Sequence, residues 1–238
     1  MQNNPVLKTS IDAADEESEF IKLLAIDVLN LNTKVLNLDP LAFRVHVMAL
    51  NAAISSFHIG DRGRVLQEMT KIIAEFAEVI TKEIANITLS INKFTKQVVM
   101  CSDALKNYHY FNKSSEMLKN DNGDKNTNSN VSYIANNITI INNIGMKERD
   151  TYKNILEELP NIILPLDICL DNIFNNIRIG NMISVNVAIE TEYIPESEVH
   201  GGLQSLPDEL KYLCEQISEI IVDSKELLTE IKGILNEI

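Results

Sequence analysis

The residues with chemically active side chains form no catalytic pattern along this 238-residue chain. Its four histidines share no ligand-like spacing with cysteines or carboxylates, so we expect no metal site. They are His46, His58, His109 and His200. No glycine-rich phosphate loop, nucleophile elbow or carboxylate pair stands out, and adjacent acids such as Glu157 and Glu158 suit a solvated helix face. We therefore expect a protein that is not an enzyme and holds no cofactor.

One aromatic cluster could hold a small ligand. It consists of the consecutive residues Tyr108, His109, Tyr110 and Phe111. A histidine among aromatic rings can line a haem or small-molecule pocket. A packed cap at the end of a helical bundle is the more ordinary explanation of the same residues. A small-ligand sensor is therefore one of three functional hypotheses.

The composition favours long packed helices in a reducing compartment. The chain is 45% hydrophobic and contains only 8 Gly and 6 Pro, few for a loop-rich β protein. Its three cysteines are isolated, which favours buried thiols in the cytoplasm; they are Cys101, Cys169 and Cys214. The net charge of −13 lacks the basic footprint of a nucleic-acid or anionic-membrane binder. No window has the apolar length of a membrane helix.

Heptad spacing of apolar residues predicts two long helical arms in the first half of the chain. After a flexible segment at 1–12, the first arm begins near Ala13. Asp39-Pro40 either restarts this helix or kinks it. The second arm covers roughly 64–119. The predicted buried seam is Ile21, Leu24, Val28, Leu31, Val35, Leu38, Ala42, Val45, Ala49 and Ala52, then Leu66, Met69, Ile73, Phe76, Ile80, Ile84, Ile87, Ile91, Phe94, Val98, Cys101, Leu105 and Tyr108.

The second half repeats this organisation after a polar linker at 120–130. A third arm starts near Val131, and Pro160 and Pro165 should kink or split it. The last arm runs from about Ser205 to Ile238. Its predicted seam is Leu210, Leu213, Ile217, Ile220, Ser224, Leu227, Ile231, Ile234 and Ile238.

Two hairpins, 13–119 and 131–238, bury their seams best against each other. We therefore predict an all-α fold, an elongated antiparallel four-helix bundle or coiled coil. The two hairpin tips would lie together at one end, and the linker and both termini toward the other.

The first hairpin turns at Gly60-Asp61-Arg62-Gly63, where two glycines can supply positive φ angles. A second copy of this tip lies at 181–213, because Ala49-Leu50-Asn51-Ala52-Ala53-Ile54 aligns without a gap to Ser184-Val185-Asn186-Val187-Ala188-Ile189. Both segments precede a glycine-containing turn and an apolar returning helix. We interpret the chain as a duplicated hairpin whose second copy has diverged.

Residues 43–77 resemble the cytoplasmic signalling tip of methyl-accepting chemotaxis proteins. Residues that match the family pattern are Phe43, Ala49, Leu50, Asn51, Ala52, Ala53, Ile54, Gly60, Gly63, Arg64 and Ala77, with Asp61 in place of a glutamate. Ser55 and His58 replace a Glu and an Arg. The second copy resembles the family more weakly, with a longer turn that lacks the Gly-Arg pair. No clear methylation sites are present.

The family's tip is a homodimer of two hairpins that binds a CheW-type adaptor and a CheA-type histidine kinase. The resemblance implies a soluble, bacterial, single-chain imitation of that dimer, either monomeric or self-associating through its tips. It would serve in signal transduction or as a scaffold. The partner-binding residues implied are Phe43, Val47, Leu50, Asn51, Ile54, His58, Asp61, Arg64, Asn186, Ile189 and Glu190.

Three alternatives remain open from the residues themselves. The chain could be a structural or protein-interaction coiled coil with no coupling to a kinase. Asn51 and Asn186 could also be buried asparagines that set helix register rather than contact a partner. Arg64 could form a local ion pair with Asp61 instead of meeting a partner's carboxylate.

Overall fold

The computed structural model describes residues 5–121, 128–194 and 203–237, and its secondary structure there is entirely helical. The elements are α1 (Pro5–Leu36), α2 (Leu38–His58), a short 3-10 helix (Gly60–Gly63), α3 (Arg64–Asp121), α4 (Asn128–Glu192) and α5 (Leu206–Glu237). The all-α prediction is thus confirmed for the described residues. The described residues form four long helical stretches, since α1 and α2 are separated only by Asn37.

The predicted apolar seam of the first half forms the core. Every seam residue of α1 and α2 is buried, and Ala52, the most exposed of them, shows only 4% of its surface. All seam residues of α3 are buried except Met69 and Tyr108, which are half-buried. Removing this much aliphatic surface from water is the main stabilising contribution to such a fold.

In α5 three predicted seam residues, Ile220, Leu227 and Ile234, are only half-buried, and Ile238 lies outside the described residues. Ile221 and Leu228 are buried in place of Ile220 and Leu227. A strict alternation of three and four residues averages 3.5 per turn, but an α-helix has 3.6, so a long helix needs an occasional extra step of four. The step from Ile217 to Ile221 supplies it.

The first helical arm starts earlier than predicted and is interrupted only briefly, just before Pro40. α1 begins at Pro5 rather than near Ala13, consistent with the preference of proline for the first helical position. The break falls at Asn37, whose φ of −71° and ψ of −11° remain helical. Pro40 has no N–H for the Leu36 carbonyl, which explains why the ladder of hydrogen bonds is interrupted there.

Of the two outcomes predicted for Pro160 and Pro165, a kinked or a split third arm, the split is wrong, because α4 runs unbroken from Asn128 to Glu192. Both prolines lie on the exposed side of the helix. The carbonyls that lose their N–H partners can therefore bond to water. Burial of neighbours such as Leu159 and Leu166 offsets the remaining cost of about 3 kcal/mol per proline.

Helix also extends into both ends of the predicted linker, since α3 ends at Asp121 and α4 begins at Asn128. Residues 122–127 lie outside the described part of the chain. So do 195–202, within the second turn, and the first four residues of the predicted flexible N-terminus.

The chain divides into two compact units. The first comprises 1–28, 93–162 and 231–238, and the second comprises 29–92 and 163–230. In the first unit α3 contacts α4, where the Cys101 thiol donates to the Tyr152 carbonyl (Sγ···O 3.9 Å) and Asn107 lies 3.4 Å from a Glu148 carboxylate oxygen.

In the second unit each of the four helical arms contacts two others, when α1 and α2 are taken together as one arm. The contacts are Lys34 to Asp223 between α1 and α5 (2.6 Å), Gln67 to the Ser56 carbonyl between α3 and α2 (3.3 Å), Asn172 to Glu83 between α4 and α3 (3.2 Å), and Lys225 to Asp171 between α5 and α4.

Candidate partner-binding surface

The turn at Gly60–Gly63 needs its two glycines for different reasons. Gly60 has φ of +70°, and no other residue that the structure describes has a positive φ. Gly63 needs space instead, because a Cβ there would lie 2.2 Å from the Ser56 carbonyl oxygen. The Gln67 amide donates to that same oxygen at 3.3 Å. The prediction that both glycines supply positive φ therefore holds only for Gly60, and Gly63 instead lets α3 start directly against the end of α2.

The predicted partner residues of the first copy lie on the outside of α2. Phe43 is 67% exposed, Leu50 51% and Ile54 60%, and Val47 is also exposed. Large apolar side chains left in water on one helix face are typical of an interaction surface. The small residues between them, such as Ala49 and Ala52, are buried against the neighbouring helices.

The polar residues predicted at the tip are also exposed. His58, Asn51 and Arg64 all face solvent. The His58 Nδ1 donates to the Ile54 carbonyl at 2.7 Å, so this ring is held against its own helix. The side chain of Asp61 lies outside the described residues, and with it the proposed Arg64–Asp61 pair.

The second copy presents the corresponding face. Asn186 and Ile189 are exposed and Glu190 is half-buried. From 38 to 54 and from 173 to 189, the sequence of buried, half-buried and exposed positions is identical residue by residue. The two segments therefore bury and expose corresponding positions along a whole helical stretch, although most of their amino acids differ.

The alternative interpretation of the two asparagines is wrong. A register-setting asparagine must be buried against a partner helix of the same fold. Asn51 and Asn186 are both exposed, at equivalent places in the two copies. Their amides are free to meet another molecule.

A shallow groove of about 370 Å³ lies beside the exposed face of α2. It is lined by Phe43, Val47 and Asn51 on α2 and by Ser205, Leu206 and Glu209 around the start of α5. Arg44 reaches across it toward Glu209, with 3.7 Å between guanidinium and carboxylate. Sequence reasoning missed Arg44 and Glu209, since no local pattern signals a pair that only packing brings together.

The side chains of the aromatic cluster at 108–111 differ in exposure. Tyr110 is 70% exposed, whereas Tyr108 and His109 are half-buried. The Tyr108 ring contacts the guanidinium of Arg149 at 5.8 Å from its centroid. Nε2 of His109 is buried without a hydrogen-bond partner.

The three cysteines are reduced and buried. Burial raises the pKa of Cys101 to about 12, with a smaller contribution from the charge of Glu17. Burial likewise raises the pKa of Cys214 to about 12 and that of Cys169 to about 11. Thiols held protonated in this way are poor nucleophiles. Within the described residues, no group of three or more His, Cys, Asp or Glu is placed to hold a metal ion.

Comparison with protein-family models, with curated proteins and with solved structures gave no match. The similarity to chemotaxis receptors therefore rests on the tip residues alone. None of the described helices has the length and apolar character required to cross a membrane.

Proposed function

We propose that the two hairpins pair as a single-chain, antiparallel four-helix bundle that imitates a receptor dimer. The contacts of the second unit support this arrangement. In that unit α1 contacts α5, α2 contacts α3, and α4 contacts both α3 and α5. Each arm then has two neighbours, as in a four-helix bundle. The matching exposure of 38–54 and 173–189 supports the assignment of one hairpin to each half.

The function that fits this surface is cytoplasmic signal transduction or scaffolding. The tip would bind a CheW-type adaptor, a CheA-type histidine kinase, or both. The observation that carries the proposal is the exposure of Phe43, Leu50 and Ile54 at positions where the family resemblance implies partner contact. A few well-packed residues near the centre of an interface supply most of its binding energy.

Retention on immobilised adaptor and kinase regulatory domains tests this proposal. Wild-type protein should be retained by at least one of them, and Leu50→Asp should lose retention because a carboxylate would enter an apolar contact. Leu89→Asp is the matched control, since Leu89 is 72% exposed on α3 outside the tip. Failure of every domain to retain the wild type, or equal retention of Leu50→Asp, contradicts the proposal.

An interaction coiled coil without kinase coupling is a second candidate. It is favoured by a second, exposed apolar seam on α1 and α2 that extends well beyond the tip. A protein that binds no adaptor or kinase but still self-associates would belong to this class.

A further inference from the structure

The first half of the chain carries a second heptad series that its own core does not use. Its members alternate in steps of four and three residues, and all of them are exposed. They are Leu29, Thr33, Leu36, Pro40, Phe43, Val47, Leu50, Ile54 and Phe57. We refer to these nine residues as the outer seam. Val47, the least exposed of the large apolar members, shows 37% of its surface and Phe57 shows 76%.

The length of the outer seam distinguishes it from scattered surface hydrophobics. It spans four heptads, or about 42 Å of helix at 1.5 Å per residue. Apolar heptad positions sustained over three to four heptads are typical of a coiled-coil interface. Its one polar side chain, Thr33, already donates its hydroxyl to the Leu29 carbonyl at 2.9 Å, so covering it leaves no donor unsatisfied.

The surroundings of the outer seam favour a second copy of this chain as the occupant. Between residues 28 and 59 the charged residues are Lys34, Asp39 and Arg44, in a chain of net charge −13. Lys34 is paired with Asp223, and Arg44 lies 3.7 Å from Glu209. The flanks are instead neutral amides such as Asn30 and Asn37. Two such faces can meet without like-charge repulsion, whereas a strongly charged partner would find no complement here.

The second copy of the repeat lacks a continuous outer seam. Its equivalent positions on α4 are Leu164, Ile168, Asp171, Asn175, Arg178, Met182, Val185, Ile189 and Glu192. Polar residues therefore occupy the middle, and Asp171 is engaged by Lys225. These nine positions of α4 are exposed like the outer seam but carry polar side chains in the middle, so α4 serves as an internal control for α1 and α2.

We propose that the outer seam is a homotypic interface: two chains associate through Leu29–Phe57 of each, and the equivalent face of α4 takes no part. A two-fold contact of this kind is self-complementary, because the same apolar row serves both sides. The proposal does not require an adaptor or kinase to bind, but such a partner would compete with the second copy for the tip half, because Phe43, Val47 and Leu50 belong to both surfaces. Its upstream half, from Leu29 to Pro40, lies outside the tip.

Sedimentation equilibrium of the full chain tests the interface. Wild type should dimerise, and the double variant Leu36→Asp/Pro40→Asn should raise the dissociation constant at least about tenfold, since a buried leucine contact is lost. These substitutions copy Asp171 and Asn175, which the second repeat carries at equivalent exposed positions, so folding should be retained. Circular dichroism checks this. Ile168→Asp, the control on α4, should leave the dissociation constant unchanged.

Higher salt should leave the dimer intact or strengthen it, because an apolar seam is not screened while repulsion between acidic chains is. The proposal is overturned if the wild type stays monomeric to about 100 µM, which corresponds to a dissociation free energy of about 5.5 kcal/mol. It is also overturned if Ile168→Asp weakens the dimer as much as the double variant does. Binding of Leu36→Asp/Pro40→Asn to immobilised adaptor and kinase domains is measured separately from its dimerisation. The homotypic interface and the adaptor or kinase contact can therefore fail independently.

Discussion

Gly180 allows α4 to approach two neighbouring helices more closely than any other residue would permit. A Cβ at this position would lie 2.6 Å from Cys214 Sγ on α5 and 2.9 Å from Phe76 Cζ on α3. Both neighbours are buried, with Cys214 0% and Phe76 3% exposed, so neither can swing into solvent. We predict that Gly180→Ala destabilises the protein.

The expected magnitude is the difference of two effects. Overpacking of a filled core costs about 1–3 kcal/mol. Alanine is favoured over glycine inside a helix by about 0.8–1 kcal/mol. The net loss is therefore about 1 kcal/mol, which lowers the melting temperature of a chain of this size by about 2–4 °C.

Gly233→Ala is the matched control, because it makes the same substitution in helix α5 with no atom within 4 Å of the new Cβ. It should raise the melting temperature by up to about 2–4 °C. Thermal unfolding followed by circular dichroism measures both variants, and Gly180→Ala/Cys214→Ala should recover part of the loss. If Gly180→Ala stabilises the protein as much as Gly233→Ala, the close packing of α4 described above is refuted.

Three further predictions concern the turn, a proline and the thiols. Gly60→Ala should cost about 1–2 kcal/mol in denaturant unfolding, because alanine is strained at φ of +70°, whereas an unchanged midpoint would contradict this backbone conformation. Pro160→Ala should raise the melting temperature, since it restores a helical hydrogen bond on an exposed face, and a lower melting temperature would count against a continuous α4. The three cysteines should resist a thiol reagent at pH 8 in the native protein and react in denaturant. Their pKa values are raised to about 11 to 12 in the folded protein, so the unfolded chain loses its thiol protons at a lower pH. The contribution of these thiols to the free energy of unfolding should therefore fall as pH rises from about 9 toward 12 and should be constant below about pH 9.

Much of the helical core could be predicted from sequence, because apolar spacing at 3.5 to 3.6 residues reports directly which side of a helix is buried. The seam from Ile21 to Ala52 is an example. The same logic failed in α5, where Ile221 and Leu228 replace their neighbours. A sequence pattern shows that an extra step is needed somewhere, but packing decides where it falls.

The prolines show a second limit of prediction from the amino-acid sequence. Whether Pro160 breaks a helix depends on which side of the helix it occupies and on how much burial its neighbours gain, and neither is local information. Gly180 is similar, since its need for space is set by Cys214 and Phe76, which are distant in sequence.

At the candidate surface, sequence reasoning found the exposed residues of α2 because the resemblance named them. It missed that the same row continues upstream to Leu29, although the heptad spacing was visible. The reason is physical: a helix with two apolar seams offers two possible cores, and only packing shows that the seam through Leu31 and Val35 is buried while the other is left in water.

A calorimetric titration of a CheW-type adaptor into the full chain tests the central claim most directly. The proposed single-chain receptor tip predicts saturable binding that Leu50→Asp abolishes and Leu89→Asp leaves unchanged. Absence of heat change for adaptors and kinase domains alike, or equal binding by Leu50→Asp, would contradict it.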